Sequence, residues 1–287
     1  MTLIFLDNSD GPSEENEQTG LYLYCFAHAN SLDQLTTLGT RESPIFVKPF
    51  QHLLAILKRV PLEEFCGIDA EKNMQELSWL VPRVHEHEAI IEQSMAYSPV
   101  FPAPFGTIFS SADALMSFFE INYDVMIDFL NKMTLMEEWG VKGLFNKEKA
   151  KNRLLELKIA ENAPYLDTLK KGMRYFQEKK IEKELDAMLS HLLQKILNDE
   201  LNALSENAVS IVKRKVVQGI SGGHDKIVAN WAFLIHHHQS DFFKMKLASI
   251  NATHQEEGIH FEMSGPWPPY SFCPPLSGVK PSNVASL

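Results

Sequence analysis

The sequence has few cysteines, no long apolar run and a deficit of basic side chains. Its 287 residues include only Cys25, Cys66 and Cys273, without a Cys-x-x-Cys pair, so neither a disulfide framework nor a zinc knuckle is indicated. No segment reaches the length of a membrane span, and residues 1–10 lack the basic start of a signal peptide. Lys and Arg number 27 against 37 Asp and Glu, a net charge of −10, which disfavours binding to nucleic acid or to an anionic membrane. We therefore expect a protein of the reducing cytoplasm.

Sequence signatures of catalysis are also missing. There is no Gly-x-Ser-x-Gly elbow, and the glycines of residues 219–223 lack the Lys-Ser/Thr ending of a phosphate loop and indicate a hairpin loop instead. His85 and His87 lie two residues apart, whereas a helical zinc pair needs a full turn, so surface or first-turn positions are expected. Successive side chains of residues 236–238, a run of three histidines, alternate in direction if the chain is extended. We predict no enzyme activity, no cofactor and no metal site.

The first half alternates strand and helix patterns. A helix rich in buried apolar positions should begin at a cap formed by Ser110 or Ser111, and a helix over 70–95 should kink or divide at Pro82. A short helix is predicted over 31–38, ending at Gly39, and strands are predicted over 21–26, 44–47, 53–60, 100–109 and 139–145. This order predicts a modified ferredoxin-like α/β sandwich for residues 1–145, the N-terminal domain of an α+β protein.

The composition changes after residue 146. Residues 147–204 are rich in Lys, Glu and Leu, and Pro164 interrupts them, which predicts an antiparallel helical arm. Its coiled-coil-like seam should contain Ile181, Leu185, Met188, Leu192 and Ile196. Strands over 208–217 and 227–235, a helix capped by Ser240 or Asp241, and a strand with alternating Ile259, Phe261 and Met263 complete the pattern. Residues 146–287 are therefore predicted to form a second α+β domain.

The last patterned segment, residues 264–272, has the sequence Ser-Gly-Pro-Trp-Pro-Pro-Tyr-Ser-Phe. Each of its three prolines fixes φ and removes a backbone donor, which predicts a rigid, extended clamp after the final strand. The aromatic side chains Trp267, Tyr270 and Phe272 then have fixed positions. They either cap a core, as Trp and Tyr commonly do, or contact a partner.

Four segments in chain order resemble the gas vesicle synthesis GvpL/GvpF family. Residues 264–272 resemble its C-terminal signature, and residues 21–26, Leu-Tyr-Leu-Tyr-Cys-Phe, resemble its opening strand. Residues 102–109, Pro-Ala-Pro-Phe-Gly-Thr-Ile-Phe, resemble its central Phe-Gly-Thr segment, and residues 138–142, Glu-Trp-Gly-Val-Lys, its Glu-Trp-Gly-Val block. The resemblance extends over about residues 21–272. Pro104 stands where the family usually carries a basic residue.

The resemblance implies an accessory factor of gas vesicle assembly, located in the cytoplasm or enclosed with the vesicle as a minor component. Such a protein is expected to bind the small hydrophobic shell protein and other accessory proteins during nucleation or growth. The expected partner-binding residues are Trp267, Pro268, Tyr270 and Phe272. One alternative is incorporation in the vesicle wall as a structural component. Another is a ferredoxin-like small-molecule-binding or metal-binding protein or enzyme, with ligands among His85, His87, His236, His237 and His238.

Overall fold

The computed structural model describes residues 19–38, 44–66, 70–216 and 225–278, together with the backbone of residues 4–6. The chain is α+β, as predicted, and its contacts form two compact units. Unit 1 comprises Met1–Glu137 and Trp267–Leu287, and unit 2 comprises Glu138–Pro266. This grouping differs from the predicted division at residue 145 in two places. Residues 138–145 join the second unit, and the chain from Trp267 onward joins the first.

Unit 1 contains a six-stranded, mainly antiparallel sheet. Its strands are β1 (Ile4–Leu6), β2 (Thr19–His28), β3 (Ile45–Phe50), β4 (Leu53–Pro61), β5 (Val100–Pro102) and β6 (Thr107–Phe109). The order is β1-β6-β2-β4-β3, with β5 also paired to β2, and the β1–β6 pair is parallel. The single strand predicted over 100–109 is divided because a turn with Gly106 at φ 81° separates β5 from β6.

The central strand β2 is buried along almost its entire length, and a bulge in it changes which side chains share a face of the sheet. The register shifts between Leu23 and Cys25, so Tyr22, Tyr24 and Cys25 share one hydrophobic cluster although their spacing breaks strict alternation. Phe26 packs elsewhere, with its ring centroid 5.1 Å from that of Phe119. The bulge thus brings two tyrosines and a thiol to the same side of the sheet.

The helices of unit 1 are α1 (Leu32–Leu35), α2 (Leu62–Cys66), α3 (Ala70–Gln75), α4 (Leu77–Met95) and α5 (Ala112–Met133). The break predicted at Pro82 occurs instead at Glu76, six residues earlier. Pro82 lies inside α4, beyond its first turn, where it removes the bond that a backbone N–H would donate to the Ser78 carbonyl without ending the helix. As predicted, Ser111 caps α5, since its Oγ accepts from the Ala114 N–H at 3.1 Å.

Unit 2 contains a four-stranded sheet with the order β10-β7-β9-β8. The strands are β7 (Met136–Phe145), β8 (Ser210–Lys213), β9 (Lys226–His236) and β10 (Ile259–Trp267), and the helices are α6 (Lys147–Leu166), α7 (Lys171–Ser205) and α8 (Ser240–His254). Strands β8 and β9 are antiparallel. Ser240 is the first helical residue of α8, and neither it nor Asp241 provides the predicted side-chain cap. Gly39 and the glycines of residues 219–223 lie outside the described residues.

Helices α6 and α7 form the arm of unit 2 and contact each other. Lys147, at the start of α6, pairs with Asp186 in the middle of α7 at 3.0 Å, and Arg174 pairs with Asp167 beside the turn at 2.8 Å, so the helices run antiparallel. The α7 seam differs from prediction at one position. Met188 is exposed, and Leu189 is buried in its place, because the seam packs against the core around the sheet as well as against α6.

Candidate functional site

The C-terminal segment is less uniform than the predicted extended clamp. Residues up to Trp267 belong to the edge strand β10, where Pro266 is tolerated because an edge position needs fewer ladder donors. The chain then forms a 3-10 turn over Tyr270–Phe272. Two of the predicted contact residues are accessible: the side chain of Trp267 is 40% exposed and that of Tyr270 is 37% exposed. Pro268 is buried and Phe272 is half-buried.

Helix α4 carries the His-Glu-His-Glu sequence of residues 85–88, whose side chains point in different directions. His85 is exposed, but His87 is completely buried, so the predicted surface or first-turn position is wrong for His87. The helix period explains the difference, because His87, Ile90, Ile91 and Ser94 form one inward stripe. The spacing of Ile90 and Ile91 marks this stripe in the sequence, but the burial of a histidine on it depends on the distant partners Tyr22 and Ala103.

A chain of hydrogen bonds connects His87 to the opening strand and to the Phe-Gly-Thr segment. The Ala103 carbonyl accepts a hydrogen bond from His87 Nε2 at 3.0 Å, so Nδ1 is an acceptor, and the Tyr22 hydroxyl donates to it at 2.9 Å. The Tyr22 oxygen in turn accepts from the Gly106 N–H at 3.2 Å. The Phe105 ring packs 5.6 Å from the His87 ring. Both imidazole nitrogens are therefore used within the protein and neither is available to a metal.

The protonation states in this cluster follow from burial. Burial lowers the pKa of His87 to about 4, against the smaller raising effects of the Ala103 carbonyl and Glu86. Burial also raises the pKa of the Cys25 thiol to about 12, and that of the Tyr22 hydroxyl well above its usual value. At neutral pH the histidine is uncharged and the thiol is protonated. This is the electrostatics of a packed core rather than of an activated nucleophile.

The two glutamates beside His87 hold neighbouring segments. Lys58 Nζ on β4 donates to both Glu86 oxygens at 2.9 and 3.1 Å. The Tyr270 hydroxyl donates to Glu88 Oε1 at 3.0 Å, which attaches the C-terminal segment to α4. Burial raises the pKa of the Glu88 carboxyl, although the bond from Tyr270 opposes this. Through Tyr22, Gly106 and Tyr270, three of the four segments noted in the sequence meet at α4.

A second attachment holds the end of the described tail. Asn122 on α5 is buried, and its side-chain amide forms two hydrogen bonds with the backbone of Ser277. The Ser277 N–H donates to Asn122 Oδ1 at 2.7 Å, and Asn122 Nδ2 donates to the Ser277 carbonyl at 3.0 Å. The segment between Tyr270 and Ser277 is thus fixed at both ends within unit 1. No sequence pattern indicates this pairing, since the two residues are 155 positions apart.

The Glu-Trp-Gly-Val block of residues 138–142 lies on β7 in unit 2. Glu138 is buried and forms an ion pair with Arg214, whereas the flanking Lys213 and Lys215 are exposed. The Lys244 ammonium lies 4.9 Å from the centroid of the Trp139 ring. This block therefore organises the core of unit 2, as the others organise that of unit 1.

The remaining histidine candidates do not form a ligand set. Within the ranges that the structure describes, no group of three or more His, Cys, Asp or Glu side chains is placed to hold a metal ion. His237 and His238 are exposed at the end of β9, with ring centroids 5.8 Å apart. No helix among the described residues is sufficiently long and apolar to cross a bilayer.

The geometry defines an α+β protein in which the segments singled out from the sequence maintain the fold, while two tail aromatics are held in place and partly exposed. The family model for the gas vesicle synthesis protein GvpL/GvpF matches residues 20–274, and the chain belongs to this family. The resemblance seen in the sequence is thereby confirmed. The family is one of gas vesicle proteins, and it places the chain in gas vesicle formation.

Individual proteins agree with the family assignment. The chain is 24% identical to gas vesicle protein L of Streptomyces sp. (strain CB03234) over 221 residues, which cover 77% of this chain and 79% of that protein. It is 23% identical to gas vesicle protein L1 of Halobacterium salinarum over 290 aligned positions, covering 92% and 98% of the two chains. The crystal structure of GvpF from Anabaena sp. PCC7120 shares the fold with a TM-score of 0.61 at 16% identity, covering 89% of this chain and 96% of that one. GvpF from Microcystis aeruginosa gives 0.59 at 16% identity, with coverage of 89% and 99%.

Proposed function

We propose that this protein is a non-catalytic accessory factor that binds the hydrophobic gas vesicle shell protein during nucleation or growth of the vesicle. It acts from the cytoplasm and is retained as a minor vesicle component, and other accessory proteins are its further partners. Unit 1 serves as a modified ferredoxin-like scaffold for the contact surface, and unit 2 contributes the helical arm. A shell subunit with a strongly apolar face is prone to aggregate before assembly, and a factor that binds this face prevents that aggregation.

The observation that carries this proposal is the fixed presentation of Trp267 and Tyr270. Both rings are more than one-third exposed, although aromatic side chains are more often buried. Their segment is attached by the bond from Tyr270 to Glu88 and by the Ser277 backbone bonds to Asn122, so little conformational entropy is lost on binding. Pro268 is buried and Phe272 is half-buried in the same segment, so we assign them a smaller part of the contact.

Association with purified shell protein at two salt concentrations tests this function. We expect binding that persists at high salt, because apolar contacts are not screened. Trp267→Ala and Tyr270→Ala should weaken it by about tenfold or more, the usual effect of losing an aromatic anchor. Phe242→Ala is the matched control, since Phe242 is also an exposed aromatic residue but lies on α8 in the other unit.

Tyr270→Phe separates the two roles of the tyrosine, because it keeps the ring and removes the bond to Glu88. Near-native affinity in this variant would assign the contact to the ring itself. Absence of any association with the native chain would contradict shell binding. Equal affinity of the native chain and both alanine variants would exclude residues 267–272 as the contact surface.

A small-molecule or metal-binding function has no comparable support. Its proposed ligands divide between unit 1, with His85 and the fully hydrogen-bonded His87, and unit 2, with residues 236–238. We therefore propose no catalytic role for these histidines.

A further inference from the structure

The end of the helical arm exposes an aromatic cluster. This surface, the arm tip, consists of residue 165 and residues 167–180. Four of its apolar side chains are more than half exposed: Tyr165, Met173, Tyr175 and Phe176. Phe176 reaches 72% exposure, and its ring centroid lies 6.1 Å from that of Tyr175. Methionine and aromatic side chains concentrated in this way are typical of a protein contact surface.

The part of the arm that comprises residues 147–183 has a charge opposite to that of the remaining chain. Residues 147–183 contain eleven Lys and Arg against six Asp and Glu, a net charge of +5, which leaves −15 for the rest of the protein. At the arm tip Lys170 and Lys180 are exposed and form no ion pair with any described residue. Met173, Phe176 and Lys180 fall on one side of α7, and Lys170 immediately precedes the helix as its N-cap residue, so the two lysines flank the apolar pair along the chain. The result is an apolar pair between two unpaired cations.

The outer face of α5 in unit 1 has the complementary arrangement. Ile121 and Val125, one helical turn apart, are 66% and 40% exposed. Glu120, Asp124 and Asp128 follow the same side of the helix, and all three are exposed and without an ion pair among the described residues. Carboxylates spaced by four residues repel one another, so this acidic stripe lowers the stability of the isolated helix. A cationic partner would remove that repulsion.

The two faces also agree in length. Ten residues separate Lys170 from Lys180, about 15 Å at the helical rise, and eight residues separate Glu120 from Asp128, about 12 Å. Each face has a central apolar pair with charged side chains along it, and the two charges are opposite. We propose that the arm tip of one copy of this chain docks on the outer face of α5 of a second copy. The contact joins two different surfaces, so it builds a chain of copies or closes reciprocally in a dimer.

Self-association is separate from shell binding, and its dependence on salt is expected to be opposite. Because exposed charges contribute to the contact, association between copies should weaken as ionic strength rises, whereas shell binding by the tail should not. The two proposals can therefore fail independently: loss of the first would appear as absence of shell binding, and loss of the second as absence of salt-sensitive association between copies.

Sedimentation equilibrium of the native chain over a wide concentration range at low and high salt provides the test. We expect reversible association at low salt, weakened by about tenfold or more in Lys170→Glu/Lys180→Glu and in Asp124→Lys/Asp128→Lys, because each reverses one side of the contact. Lys195→Glu/Lys215→Glu is the matched control. It adds the same negative charge at exposed positions outside the arm tip and should associate like the native protein.

Mixing the two charge-reversed proteins gives the decisive result. The variant with reversed lysines keeps the native face of α5, and the variant with reversed aspartates keeps the native arm tip, so these two surfaces can still pair. The two reversed surfaces also carry opposite charges. The mixture should therefore associate as the native chain does. A native chain that stays monomeric throughout would overturn the proposal. The same conclusion follows if the mixture remains monomeric, or if both reversed variants associate normally.

Discussion

At the scale of single residues, His87 shows how a polar side chain can be a core residue. Its two nitrogens and the Tyr22 hydroxyl have defined donor and acceptor roles, and every buried side-chain nitrogen and oxygen among the described residues has a partner. Such a network favours one arrangement of β2, α4 and the turn before β6, because any other arrangement leaves a buried polar group without a partner. The opening strand and the Phe-Gly-Thr segment are thus parts of one structure.

Tyr22→Phe should destabilise the protein although it preserves the ring. It leaves the Gly106 N–H and His87 Nδ1 buried without their partner, at a cost of about 1–3 kcal/mol. Urea denaturation followed by circular dichroism measures the change. Tyr97→Phe, at an exposed tyrosine, should have almost no effect; an equal loss in both variants would argue against the network.

His87 should also make the protein sensitive to acid. Its pKa is lowered from 6.5 to about 4 in the folded chain, so the unfolded chain binds its proton first as pH falls. The stabilising contribution is complete above pH 6.5 and is lost as pH falls through about 4. The loss totals about 3 kcal/mol for such a buried group.

Denaturation curves of the native protein and His87→Gln between pH 7 and pH 4 provide the measurement. The glutamine variant should be less stable at pH 7, and the difference between the two proteins should narrow by roughly that amount on acidification. His85→Gln, at an exposed position of the same helix, should follow the native curve throughout. A constant difference between native protein and His87→Gln would show that the pKa of His87 is the same in the folded and the unfolded chain, which contradicts this prediction.

At the scale of secondary-structure elements, the arm is held by one side of α7. Leu185, Leu189 and Ile196 are buried, and Leu192 packs partly against the same cluster. The far half of the arm has no buried apolar side chain between Lys171 and Glu184 among its described residues, so it depends on α6 and on ion pairs at its surface. The arm should therefore be less stable at its tip than at its base.

Leu189→Asp should unfold much of the arm, because it places an unpaired charge in the seam. The expected loss is about 3–5 kcal/mol, and Leu192→Asp should cost less since that side chain is only partly buried. Met188→Asp is the matched control, because Met188 is adjacent to Leu189 but lies on the exposed side of α7. Thermal melting and helix content, both followed by circular dichroism, provide the measurement. A larger loss of stability in Met188→Asp than in Leu189→Asp would show that the seam is assigned to the wrong side of α7.

Local patterns predicted most of the individual elements. The apolar stripe of α5, the strands β2, β4 and β9 and the helical character of the arm follow from period and composition. Two features did not follow, because each depends on contacts distant in sequence. His87 is bonded to Tyr22, 65 positions away, and Asn122 pairs with Ser277, 155 positions away, so no local window contains either pair.

At the scale of the whole molecule, charge and apolar exposure are unevenly distributed. The arm is basic and aromatic at its tip, the remainder is strongly acidic, and the exposed tail aromatics lie in unit 1. The protein therefore offers separate surfaces for separate partners. A net charge of −10 alone would not have indicated this division.

Deletion of the gene should abolish normal gas vesicles, and a chain ending before Gly265 should fail to restore them. The shortened chain lacks Trp267 and both tail attachments, so it loses a contact surface and part of the packing of unit 1. Complementation with Trp267→Ala, after its folding has been checked by circular dichroism, separates the two losses. Buoyant cells with refractile vesicles in the clean deletion would contradict a requirement for this protein.

The division of the chain between units has a consequence for its biosynthesis. Unit 1 begins near the N-terminus, but its tail, from Trp267 onward, is translated only after the whole of unit 2. Domains generally fold in the order in which they leave the ribosome. Here Glu88 and Asn122, in the first part of unit 1, cannot bind Tyr270 and Ser277 until the whole of unit 2 has been translated. The tail aromatics are therefore presented only by chains that have been translated beyond unit 2, and shorter products of interrupted translation lack that surface.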